Sequence, residues 1–80
     1  MTKKWCLMKK SDGQRGQDGK KKVYEIVVVG SAVHCEWGMA EKTARQRSIK
    51  QFGSEQAARW FALEKVHAKQ DRGYEVVYAV

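Results

Sequence analysis

The chain has 80 residues, enough for one domain with a modest core and too few for two. Sixteen Lys and Arg against nine Asp and Glu give a net charge of +7, which favours a polyanionic partner, nucleic acid first and an acidic membrane surface second. No apolar run reaches membrane-spanning length, no secretory or lipidation motif is present, and Cys6 and Cys35 have neither a CxxC spacing nor metal-ligand spacing to His34 or His67.

Residues 4–9, Lys-Trp-Cys-Leu-Met-Lys, form a short apolar run bounded by lysines and are expected to be a strand. Trp5 and Leu7 share one face of it, Cys6 and Met8 the other. Residues 11–22 hold Gly13, Gly16 and Gly19 among polar residues and read as a loop. The glycine spacing fits neither a Walker A motif nor a dinucleotide fingerprint. Lys20, Lys21 and Lys22 lead into the next strand and add to the field.

Residues 23–29 are rich in β-branched side chains and give the clearest strand signal. Gly30-Ser31 reads as a tight turn. On the returning strand, residues 32–37, Val33, Cys35 and Trp37 alternate with His34 and Glu36. His34 is therefore an expected exposed strand residue, with no nucleophile and orienting carboxylate beside it. Residues 43–51 are expected to form a further strand, ending at Phe52.

Gly53-Ser54 breaks that strand. Ser54 is a good N-cap, and Glu55 sits where the helix dipole favours an acid. The helix is expected to run to about Gln70, with Lys69 and Arg72 at its C-terminus and Gly73 at C′. Ala58, Phe61, Ala62 and Val66 follow one stripe, with the stems of Lys65 and Lys69 between them. Ala57, Trp60, Leu63 and His67 follow another. The first is the expected core face, which leaves Trp60 at the edge or exposed. Residues 74–80 are a final strand.

The charge is segregated. Residues 1–22 carry eight cations and two acids, residues 23–41 three acids and no cation, residues 42–53 four cations and no acid, and residues 54–80 four of each. The second basic block follows Trp37-Gly38-Met39. Glycine lets the chain turn tightly beside the indole, and an aromatic beside a run of cations suits a nucleic acid, whose sugar or base stacks while phosphates meet the cations. The competing reading makes Trp37 a core residue and the cations a solvated strand face.

From Tyr24 to Tyr74 the order of elements resembles the WGR domain, named for its Trp-Gly-Arg signature. The matching features are the strand with Tyr24-Glu25, the hairpin into Trp37-Gly38, the basic strand closing on Phe52, and an Ala-rich helix with Phe61 and Lys69 leading into Arg72-Gly73-Tyr74. The resemblance implies a twisted antiparallel sheet crossed by one helix, and a role in nucleic-acid binding. In poly(ADP-ribose) polymerases such a domain contacts the end of a DNA break, and its tryptophan packs on the sugar next to that end; carried over, that role falls on Trp37. The signature arginine is Met39 here, and the glycines usual after it are replaced around Ala40, Glu41 and Ala44.

The reading is thus a single α+β domain, an antiparallel sheet packed against one helix, acting as a non-catalytic nucleic-acid-binding module with DNA favoured. Phosphates are expected at Lys42, Arg45, Arg47 and Lys50, with Lys20, Lys21 and Lys22 as a second patch, and Trp37-Gly38 at the sugar. No cofactor, metal, small-molecule substrate or membrane is expected. The alternative is a protein-interaction module using Trp60, Leu63 and His67. Reduced cysteines fit a cytoplasmic protein, and a small basic domain of this kind fits a bacterial or bacteriophage source.

Overall fold

The computed structural model describes residues 2–10, 21–40 and 45–80. Five strands and one helix follow in the order β1 (Thr2–Lys10), β2 (Lys21–Val29), β3 (Ala32–Met39), β4 (Gln46–Gln51), α1 (Glu55–Asp71) and β5 (Glu75–Ala79). The strands form one sheet in the order β4-β3-β2-β1-β5, and every neighbouring pair is antiparallel. This is the expected α+β architecture. The expected glycine-rich loop lies mostly outside the described residues.

Strand periodicity decides which side of the sheet is covered. Tyr24, Ile26 and Val28 of β2 lie opposite Trp37, Cys35 and Val33 of β3, and opposite Leu7, Trp5 and Lys3 of β1. On this face the buried side chains join Ala58, Ala62 and Val66 of α1 in one apolar cluster. Trp37, Phe52, Phe61 and Tyr74 pack around its margin. The expected helix stripe is therefore the buried one, and Trp60 is 64% exposed. Among the described residues the opposite face of the sheet carries no helix, and we call it the open face.

Two local features fix the helix ends. The Ser54 hydroxyl accepts a hydrogen bond from the Ala57 N–H at 3.1 Å, a standard N-cap. At the other end Gly73 has φ +97°; its N–H donates to the Gln70 carbonyl and that of Tyr74 to the Lys69 carbonyl, both at 3.0 Å. This is a Schellman closure, and it turns the chain into β5. A Cβ at Gly73 would meet only the flexible Lys9 side chain, at 3.5 Å, so the cost of a larger residue is conformational. Gly73→Val is expected to cost about 1–2 kcal/mol, lowering the melting temperature by several degrees in a domain this size. An unchanged melt would contradict the left-handed cap.

Several strand boundaries differ from expectation. β1 is longer at both ends, because β2 offers it partners from Val29 to Lys21. The same length of β2 carries β3 through Gly38, which pairs with Val23, and on to Met39. Gly38 therefore does not turn the chain; the strand continues past the indole. β4 is paired only from Gln46, opposite Trp37.

Cys6 and Cys35 are both free and buried, on opposite faces of the sheet. Burial, first among the causes, pushes both thiols above the ordinary cysteine range. Fewer thiolates then form near pH 8, so a thiol-disulfide reagent is expected to label neither cysteine in the native domain and both after denaturation. Fast native labelling of either would show that its site opens readily.

Candidate nucleic-acid interface

The structure divides the expected binding residues between the two faces. Trp37 lies on the helix-bearing face, half-buried and stacked on Tyr24, with ring centroids 5.5 Å apart and planes at 12°. Tyr74, delivered by the Gly73 turn, meets Tyr24 edge-on at 6.2 Å. Lys22, Trp37, Gly38, Met39 and Tyr74 line a shallow hollow of about 270 Å³. The core and functional readings of Trp37 are thus compatible: it props the edge of the core and also borders a surface hollow.

Cations crowd this end of the molecule. Lys22 lies directly across from Lys9 of β1, and like charges in that position repel. The Lys9 ammonium sits 5.9 Å from the Tyr74 ring. That of Lys69 sits 4.5 Å from the Tyr24 ring and 5.8 Å from Tyr74. Lys69 is held below the ordinary lysine range, first by burial and then by repulsion from Lys65 and Arg72. Arg72 and Gly73 border a neighbouring hollow with Lys9 and Lys21, where Glu75 is the acid present. None of Lys9, Lys21, Lys22, Lys69 and Arg72 forms an ion pair with a described carboxylate.

Arg45 and Arg47 are in a different electrostatic setting. They lie on the open face with Lys4, and Glu25 and Glu36 neutralise them. Glu25 is 3.2 Å from both the Lys4 ammonium and Arg45. Glu36 is 3.6 Å from Arg45 and 3.3 Å from Arg47. The hydrogen bond from Lys4 to Glu25 holds Lys4 above the ordinary lysine range. Lys4, Glu25, His34, Glu36, Arg47 and Ile49 border a hollow of about 470 Å³ in which the charges are largely compensated.

The structure thus brings Trp37 together with Lys22, and separates both from Arg47. Lys50 lies on the Trp37 face, across from Val33. Lys20 and Lys42 lie outside the described residues. Sequence reasoning did not place Lys9, Lys69, Arg72 and Tyr74 near Lys22 and the Trp37–Tyr24 stack, although the last three stand in the Lys-x-x-Arg-Gly-Tyr ending of the helix. Among the described residues no group of three or more His, Cys, Asp and Glu is placed to hold a metal ion, and no helix is long and apolar enough to cross a membrane.

In this small sheet-and-helix domain the stacked aromatics thus stand among cations without a described carboxylate partner. A family model for the WGR domain matches residues 5–79, nearly the whole chain. The chain belongs to the WGR family, whose domains are in general nucleic-acid-binding modules rather than catalysts. No curated protein and no solved structure matches it.

Proposed function

We propose that this protein is a non-catalytic DNA-binding module that receives a duplex end at Trp37. One observation carries the reading: Lys22 and Lys9 face each other across β1 and β2, beside Lys69 and Arg72, around the Trp37–Tyr24–Tyr74 aromatics. Adjacent like charges with no described acid between them are strained, and phosphates relieve that strain. The indole supplies a face for a terminal sugar or base. Phosphates then meet Lys9, Lys21, Lys22, Lys69 and Arg72. Arg45 and Arg47, already held by Glu25 and Glu36, contribute little. The two buried free thiols support a reducing, cytoplasmic setting.

The test is an anisotropy or gel-shift panel of blunt duplex, hairpin-capped duplex, single strand and RNA at two salt concentrations. Trp37→Phe is expected to weaken blunt-end binding by about 1 kcal/mol, roughly fivefold, with an unchanged salt slope. The Arg45→Ala, Arg47→Ala double variant is expected to keep most of the wild-type slope. Equal binding of blunt and capped duplex, unaffected by Trp37→Phe, would overturn end recognition.

A second reading has its own observation. Trp60 and Leu63 of α1 are 64% and 42% exposed, and with His67 they form an apolar surface suited to a protein partner. Binding through it would change little between low and moderate salt, whereas phosphate binding falls steeply.

A further inference from the structure

The helix leaves part of its own face of the sheet uncovered. On β3 the helix-facing residues Val33 and Cys35 are buried and Trp37 is half-buried, but across from them on β4 Lys50, Ser48 and Gln46 are all exposed. The helix-facing side of β4, the edge strand of the sheet, therefore forms an open strip, a groove with one wall, beside the flank of α1. The α1 wall of that strip is formed by Phe61, Lys65 and Lys69, each half-buried. The Lys50 ammonium of β4 is 5.1 Å from the Phe61 ring, and the Lys65 ammonium of α1 is 5.6 Å from the same ring. Two cations from two different elements thus flank one aromatic. Lys69 lies one helical turn beyond Lys65, about 6 Å along the axis, and sits over Tyr24, the ring on which Trp37 stacks.

The cations form a line that begins at Trp37 and runs up the groove through Lys69 and Lys65 to Lys50. None of them makes an ion pair with a described carboxylate. The exposed floor residues Gln46 and Ser48 are neutral hydrogen-bonding groups.

We infer that this groove holds a single strand of nucleic acid that continues from the end seated at Trp37, so that the preferred ligand is a duplex with a single-stranded overhang. The inference rests on the DNA-end reading above. Sequential lysines follow the phosphates, and Trp37 offers ring surface to an unpaired base, which stacks without regard to sequence. Gln46 and Ser48 meet sugars or base edges and impose no code by themselves.

The experiment compares one blunt duplex with the same duplex carrying a short overhang, 3′ or 5′, by fluorescence anisotropy over a salt series. At least one overhang polarity is expected to bind tighter than the blunt form. Its plot of log affinity against log salt should be steeper by about 1.4, from about 0.7 for each of two single-strand phosphates at Lys50 and Lys65. The Lys50→Gln, Lys65→Gln double variant keeps the side-chain stems on Phe61 and removes both charges. It is expected to bind the overhang only as tightly as the blunt form, with blunt binding and the melting temperature unchanged. Equal affinity of wild type for blunt and both overhang forms, or an overhang preference that survives in the double variant, overturns the groove. Failure of every DNA form to bind overturns the end reading itself and the groove with it.

Discussion

Ile26→Ala is expected to destabilise the domain by about 2–5 kcal/mol and to leave much of the chain unfolded at room temperature. Ile26 is fully buried on β2, the middle strand of five. It is paired to Trp5 on one side and Cys35 on the other, beneath the cluster that includes Ala58 and Ala62. The helix meets the sheet through alanines, so its backbone is held close and has little room to settle into a cavity. A single core in a chain of this size supplies only about 3–5 kcal/mol of net stability, comparable with the expected destabilisation. Urea denaturation followed by tryptophan fluorescence measures it. A shift under about 1 kcal/mol would mean that the core has another centre.

The second large effect concerns binding. Removing three cations together, Lys22→Ala, Lys69→Ala and Arg72→Ala, is expected to flatten the salt dependence for duplex DNA by about 2.7, at about 0.9 for each phosphate no longer neutralised. Affinity at moderate salt should fall at least a hundredfold. Lys22 and Arg72 are exposed, and removing them also relieves repulsion toward Lys9 and Lys69. The variant is therefore expected to stay folded, with the stem of Lys69 the main packing group removed. An unchanged slope would place the phosphates elsewhere, and the paired Arg45 and Arg47 would be the next to test.

Much of the fold was legible because its signals are local. Ser54, Gly73 and the stripe of Ala58, Ala62 and Val66 each act within a turn or two of helix. The β-branched run of β2 acts within one strand. The site depends on registers that join distant segments. Lys9 meets Lys22 only through the pairing of β1 with β2, across residues 11–20. The side of the sheet on which Arg47 falls depends on Trp37 lying opposite Gln46. A slip of one residue there would put Arg47 beside the indole, because strand side chains alternate faces. The basic character of residues 42–53 was visible, but the acids that neutralise Arg45 and Arg47 come from β2 and β3. Conversely, Lys69 and Tyr74 stood in plain view as helix-ending residues, and only the folded turn brings them to Trp37.

The most direct measurement is a two-dimensional amide and indole NMR titration of the labelled protein with a short blunt DNA duplex. The Trp37 indole N–H and the amides of Lys22, Gly38, Lys69, Gly73 and Tyr74 are expected to shift most, while His34, Ile49 and the Trp60 indole stay in place. Shifts centred on the open face around His34 and Ile49, or on Trp60 and Leu63, would contradict binding at Trp37.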